Sequence, residues 1–392
     1  MGGEGELALS AAAQRHCALV RERLQQLIAE ADGFLSFERY MAAALYAPGL
    51  GYYSGGAEKL GPGGDFITAP ELSRLFGACV AVQCAEILPH LNSGVILEVG
   101  AGTGRLAADV LTRLDQAHQL PAQYLILEVS ADLRDRQRRF LTQSLPKHLD
   151  LIRWIDAPPE DEYQGIVIAN EVLDALPAAR FRWFPDRIEE LGVQYREQQL
   201  VSAARPAPAA LAQDCQALAR EVGGWDLGYT SEYCPQLVDW TRAVTAGLTR
   251  GAALWIDYGL PRAQYYLPER HEGTLLCHFR HRAHDDPFFC PGLQDISAWV
   301  DFTRLAEASR ACGFDLAGFT TQAHFLAGCG IDQEMHRLAG DNQKAFARLA
   351  SEARQLMLPG EMGERFKVMG WLRGLGLPLC GFALRDLRPT LG

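Results

Sequence analysis

Three short stretches carry residue types that together could hold a ligand and act on it. The first is Ile96-Leu-Glu-Val-Gly-Ala-Gly-Thr-Gly-Arg-Leu106, where Gly100, Gly102 and Gly104 follow an apolar run. Small residues there let the backbone turn sharply and approach a ligand closely, and a following helix offers its N-terminal N–H groups. The dinucleotide fingerprint is G-x-G-x-x-G. Here the third glycine comes one residue early and Arg105 takes the fingerprint position. That favours a cofactor without a pyrophosphate. The second stretch is Leu125-Ile-Leu-Glu-Val-Ser130, whose Glu128 stands at a strand end, where an acid can accept hydrogen bonds from two ribose hydroxyls. The third is Ile168-Ala-Asn-Glu-Val-Leu-Asp-Ala-Leu-Pro177. It is expected to project Asn170, Glu171 and Asp174 towards the reactive end of the cofactor. Two carboxylates three residues apart on an opening helix share one face and can grip a guanidinium by charge-assisted bonds. Capping of that helix is the plainer role for either acid. Glu98 lies inside the first strand, where a carboxylate needs a donor. A positively charged ligand or the N–H groups of the loop would supply one; a purely structural carboxylate is the alternative.

These groups need a sheet to place them. Short apolar runs predict strands over 95–99, 124–129, 151–155, 165–169, 252–257 and 314–319, with 380–384 as the last. Helical spacing lies between them, at 105–114, in the Arg-rich segment after 129, at 237–248 and at 302–312. Alternation of apolar strands with helices indicates an α/β fold with a mostly parallel sheet covered on both faces. Ahead of it, 15–31 and a segment beginning at Ser36 read as helices, the second with only half a capping box. Residues 55–64 read as a Gly-rich loop, and Pro70-Glu71 as the start of one long helix to about Ile87. A helical extension and cofactor-covering loop over 1–92, and a core over 93–392, are therefore expected. Two insertions interrupt the core, at about 178–232 and 260–300. The first has strand-like runs at 181–184 and 188–195 that suit a hairpin. The second is rich in His, Pro and Asp and reads as a long structured loop, which inside a compact domain is usually functional.

With 392 residues, 48% hydrophobic and 22% charged, the chain has the composition of a globular protein. A net charge of -11 without a long basic run argues against tight nonspecific nucleic-acid binding. No apolar run approaches the ~20 residues of a membrane span. The 10 cysteines are scattered without a C-x-x-C, which suits free thiols in a reducing compartment. The N-terminus carries neither a signal peptide nor an Arg-rich transit composition. A cytoplasmic location is expected, or a mitochondrial matrix one if a targeting segment has been removed.

Several blocks together resemble the MidA-like methyltransferase family, which includes the mitochondrial complex I assembly methyltransferase. They are FERYMAAALYAPGLGYY (37–53), GDFITAPE (64–71), LEVGAGTG (97–104), LEVS (127–130), NEVLDALP (170–177), IDYG (256–259), DPFFCPGLQDISAWVDF (286–302), QAHFLAGCGI (322–331) and MGERFKVM (362–369). The blocks span nearly the whole chain. The resemblance implies a seven-stranded class I, Rossmann-like core with S-adenosylmethionine as cofactor. It puts Gly64, Asp65, Phe66, Pro70 and Glu71 in a segment covering that cofactor. It also implies symmetric dimethylation of a protein arginine, with a complex I-type subunit as partner; a homodimer is compatible. The chain departs from the family at Ala69, where Ser is frequent, and at Thr274-Leu-Leu-Cys-His278, which lacks an Arg. Two other readings stay open: methylation of a small molecule, and a cofactor-binding assembly or scaffold protein whose partner surfaces are the two insertions.

His278, His281 and His284 are spaced by three, ahead of Asp285 and Asp286. Pro287 and the loop character around them argue against the helix that would align them, so no metal is expected. Asp257 ends the fifth strand, either structural or shaping the substrate site. Tyr52, Tyr53, Trp154 and Trp225 read as core aromatics, Trp154 being the one placed near an adenine by its strand end.

Overall fold

The computed structural model describes residues 9–55, 68–280 and 282–392. The apolar runs build the seven main strands of a central sheet: β1 (Val95–Val99), β2 (Gln123–Leu127), β3 (Ile152–Ile155), β4 (Tyr163–Asn170), β5 (Leu248–Leu260), β6 (Asp315–Thr321) and β7 (Phe366–Arg373), with the short strand Val300–Asp301 pairing parallel with the end of β5 as an eighth. Their order across the sheet is β6-β7-β5-β4-β1-β2-β3. β3, β2, β1, β4 and β5 run parallel, whereas β7 is antiparallel to both β5 and β6. The order reverses between β1 and β4, and ligands of such Rossmann-like sheets sit beyond the carboxyl ends of the strands at that point.

Side chains alternate between the two faces of each strand. Ile96, Ile126, Ile168, Leu254 and Val368 join one core with helices α4 (Arg74–Ile87) and α5 (Arg105–Gln116). Leu97, Leu125, Val167, Trp255 and Trp371 join the other, with Leu237 and Val244 of α8 (Leu237–Thr245) and the helix Phe302–Ala311. Further helices are α1 (Ala11–Glu30), α2 (Phe37–Tyr46), the single turn α3 (Ala69–Leu72), α6 (Ala131–Ser144) and α7 (Ala209–Val222). Ser36 caps α2, accepting from the Arg39 N–H at 3.4 Å.

The expected hairpin in the first insertion is part of a second sheet. Ala179–Trp183 pairs antiparallel with Ile188–Arg196, which pairs in turn with Gln199–Pro206 and with Leu35–Ser36. Thr230–Tyr233 completes it. The region read as a long loop contains a three-stranded sheet of Leu276–Phe279, Arg282–His284 and Asp295–Ser297.

Two expectations fail for physical reasons. Residues 380–384 are not the last strand: Cys380–Phe382 is one turn of 3-10 helix, and β7 closes the sheet. The apolar run covers the sheet instead of joining it, with Phe382 lying over Gly318 and Gly370. The helix after Pro70 is not continuous. Ser73 is extended (φ -157°) and its hydroxyl accepts from the Leu75 N–H at 3.2 Å, so α3 ends and α4 begins there. The family block at 322–331 and the residues after it to 357 fold as three helices packed against α4.

Gly251 opens the buried part of β5 with φ +144°, a conformation that side chains disfavour. A Cβ there would come within 1.8 Å of the Gly165 carbonyl oxygen on β4. Gly251→Ala is expected to lower stability by about 3 kcal/mol or more, the range of severe backbone strain and overpacking in a core. The urea unfolding midpoint measures this.

Candidate active site

A cavity of about 560 Å³ opens at the carboxyl ends of β1, β2, β3 and β4. Its floor is the glycine loop. Gly100, Gly102 and Gly104 all have left-handed φ values, +65°, +54° and +86°, which only glycine adopts without strain. A Cβ on Gly100 would meet Val172 at 3.1 Å. The Gly100 N–H donates to the Leu127 carbonyl at 3.0 Å, tying the loop to the end of β2. Pro70 and Glu71 of α3 line the opposite side, and Thr103 donates its hydroxyl hydrogen to Glu71. Asp65, Gly64 and Phe66 lie outside the described residues, as does most of the Gly-rich loop.

Glu128 is buried, and both of its oxygens are engaged. Oε1 accepts from the Ser130 N–H at 2.9 Å and Oε2 from Gln137 at 3.1 Å. A carboxylate offers about four lone-pair sites, more than these donors fill, so capacity remains for a ligand. Glu98 is also buried on the cavity wall, and its donor is the Tyr124 hydroxyl at 2.7 Å, neither the loop nor a cation. Burial pushes Glu98 up to about 7 against that bond. The sequence gives no hint of Tyr124, because it reaches across from the neighbouring strand.

The Asn170–Pro177 segment differs from expectation. No helix opens at Glu171: that residue is left-handed (φ +54°), and the chain runs through turns to Pro177. Asp257 holds these turns. Its Oδ2 accepts from the N–H groups of Val172, Leu173 and Asp174 at 3.1, 2.8 and 3.3 Å, and Oδ1 from Tyr258 at 2.8 Å. These four bonds give Asp257 a structural role in the turns behind the cavity wall. Glu171 and Asn170 line the cavity; Asp174 does not and lies buried behind them. Glu171 Oε1 accepts from Asn170 Nδ2 at 3.2 Å and the Ala69 N–H at 3.3 Å. Burial, reinforced by Asp257, pushes Glu171 up to about 8. Asp174 is raised by burial and by Asp257, Asp295 and Glu171.

Other residues join the site without having been singled out. Asp156 and Pro158 after β3 line it, as do Gln236 and Trp240 around the start of α8. Tyr46 and Tyr53 stack at 5.6 Å on the wall, and the Tyr53 hydroxyl donates to Asp295 at 2.9 Å. Tyr53 is thus a cavity residue, whereas Tyr52 and Trp225 are core. Trp154 does not line the cavity; its indole donates to Gln137 at 2.9 Å. His278 and His284 sit on neighbouring strands of the small sheet, and His281 lies outside the described residues. Among the described residues no three His, Cys, Asp or Glu side chains are grouped to hold a metal. Thr274, beside the family's missing Arg, is buried against Glu232 and Tyr265.

Glu71, Glu98, Glu128, Asp156 and Glu171 face one guanidinium, Arg105, among the described lining residues. A small-residue cradle in an acidic cavity fits a ligand carrying positive charge, as a sulfonium and an ammonium would. Residues 79–320 match the family model described as "Putative S-adenosyl-L-methionine-dependent methyltransferase". The chain belongs to that family. This methyltransferase is 31% identical to "Protein arginine methyltransferase NDUFAF7, mitochondrial" of Danio rerio over 375 residues, 86% of this chain and 83% of the relative. The Homo sapiens protein of the same name is 28% identical, over 88% of this chain and 81% of its own. A crystal structure from Burkholderia thailandensis, bound to S-adenosyl-homocysteine, superposes with a TM-score of 0.93 at 41% identity, covering 98% of this chain and 99% of that one. The methyltransferase therefore uses S-adenosylmethionine, and its fold is the class I fold that the resemblance implied.

Glu98 makes a pH-dependent contribution. Its ordinary value of 4.5 is raised to about 7, so between those values the folded methyltransferase holds a proton that the unfolded chain has released. Stability from this group is full below about pH 4.5 and falls as pH rises through about 7. Glu98→Gln is expected to flatten the fall. Urea unfolding of both proteins at pH 5 and pH 8 reads the difference.

Proposed function

We propose that the enzyme methylates a protein arginine, to the symmetric dimethyl product, on a subunit of a complex I-type partner. The observation carrying this reading is Glu171, a buried carboxylate on the cavity wall with Asp174, Asp257 and Asp295 behind it. The curated relatives described above are named as protein arginine methyltransferases, which supports the same acceptor.

In this reading the glycine loop and Glu128 hold the cofactor, with Pro70, Glu71 and Glu98 closing around it. When bound, S-adenosylmethionine supplies a methyl group on a sulfonium, transferred by in-line displacement. Glu171 and Asn170 orient the incoming guanidinium and keep the attacking nitrogen in line. Glu171 pairs with the guanidinium through charge-assisted bonds and takes the proton that nitrogen gives up as the new C–N bond forms. Burial holds Glu171 up at about 8 in the empty site, and an entering guanidinium favours its anion, the form that pairs with the cation and accepts the proton. Asp174, buried behind the wall and held towards its neutral form by burial and the neighbouring acids, does not touch the guanidinium. The described cysteines form no disulfide, in keeping with a reducing compartment, whether cytoplasm or mitochondrial matrix.

Glu171→Gln keeps the shape and removes the proton acceptor. Transfer of labelled methyl to protein is expected to fall at least ~100-fold, the usual scale of general acid–base catalysis. Binding of S-adenosylhomocysteine is expected to stay within about threefold, a difference of under 1 kcal/mol. Equal loss of cofactor binding would remove Glu171 from this role. Mass spectrometry of the labelled protein reads the acceptor directly: methyl on lysine, a carboxyl group or only small molecules would refute the arginine assignment.

A further inference from the structure

Gln137 is fully buried in the middle of an otherwise polar, Arg-rich helix, α6. A primary amide in such a place is costly unless its bonds are all made. Here they are. The Trp154 indole N–H donates to Gln137 Oε1 at 2.9 Å. Gln137 Nε2 donates to the Gly102 carbonyl at 3.0 Å and to Glu128 Oε2 at 3.1 Å. An indole only donates, and a carbonyl and a carboxylate only accept, so the chemistry of the three partners fixes the amide in one orientation. Each of its two N–H hydrogens has one acceptor.

Those two acceptors belong to different strand ends. Gly102 lies in the loop after β1, and Glu128 follows β2; both line the cavity, whereas Gln137 and Trp154 do not. One nitrogen atom therefore sets the separation between the turn of the glycine loop and the acid beside it. It also fixes the rotation of the Glu128 carboxylate jointly with the Ser130 N–H, so the remaining lone pairs point one way.

We propose that Gln137 is a positioning residue for the cofactor. It holds the Gly102 turn and the Glu128 carboxylate at the spacing the bound cofactor spans, and Trp154 keeps its amide from flipping. This rests on the reading that Gly102 and Glu128 hold the cofactor. A buried glutamine that merely satisfied its own bonds would affect stability and leave that spacing alone.

The test is titration of the full chain with S-adenosylhomocysteine, alongside steady-state methyl transfer. Gln137→Leu is expected to weaken binding about tenfold or more, the scale of losing a hydrogen bond to a charged group. KM for the cofactor should rise by a similar factor while kcat at saturation stays within about threefold, because ground-state and transition-state binding are lost equally. Gln137→Glu replaces the donor with a second carboxyl group that shares a proton with Glu128 at low pH. Its affinity relative to wild type should fall progressively as pH rises from 6 to 9, Glu98 and Glu171 on the same wall titrating alike in both proteins. Trp154→Phe keeps the ring packing and removes the indole donor; binding should weaken severalfold with little change in melting temperature, which covers the case in which Gln137→Leu folds poorly. Binding by Gln137→Leu within about twofold of wild type, or a loss confined to kcat, overturns the proposal. Glu128→Ala separates the two levels. If it binds like wild type, the reading of Glu128 itself fails; if it binds weakly while Gln137→Leu does not, only the Gln137 assignment fails.

Discussion

One carboxylate oxygen, Asp257 Oδ2, gathers three consecutive backbone N–H groups at the start of the Asn170–Pro177 turns. Those donors would otherwise be buried without partners, because no helix follows β4 to take them up. The Glu171 N–H donates to the Ile256 carbonyl at 2.9 Å, so β5 holds the segment at two successive residues. The result is a turn rigid enough to keep Glu171 left-handed and on the cavity wall. Non-glycine residues in that conformation persist only where the surroundings over-determine them. The same carboxylate raises Glu171 by its own charge, so the group that fixes the backbone also tunes the acid it presents.

That arrangement explains the crowding of acids at the carboxyl end of the sheet. Burial is the first cause of the upward shift in Glu98, Glu171, Asp174 and Asp257. Such groups are costly as anions and become less so when a cation enters. The acidic wall is thus poised for ligands that bring positive charge, whether on the cofactor or on the acceptor. Asp295 contributes from the small inserted sheet, and Tyr53 connects it to the cavity.

Much of the sheet is legible in the sequence because its strands are short apolar runs bounded by turns. Gly100, Gly102 and Gly104 are legible for a different reason: three glycines at alternate positions have few uses besides positive φ. What escapes is what tertiary contact decides. The 366–373 strand begins Phe-Lys-Val-Met, with Lys367 inside it, and gives a weak pattern. Residues 380–384 have the better pattern and lie on top of the sheet. Tyr124, Gln137, Tyr53 and Asp295 act through partners on other elements, and no local spacing announces them. Asp174 misleads because its three-residue offset from Glu171 has meaning only on a helix, which the turn at Glu171 prevents.

The pairing of Leu35–Ser36 with Ile188–Arg196 has a consequence for how the chain is made. A ribosome releases residue 35 long before residue 193, its partner in the sheet. Tyr53 waits longer still for Asp295, 242 positions on. β7 is inserted between β5 and β6, so the central sheet closes only when nearly the whole chain has emerged. Contacts of such high sequence separation form late and slowly. The N-terminal helices, with their apolar faces, must therefore persist in the nascent chain without the surfaces that will cover them.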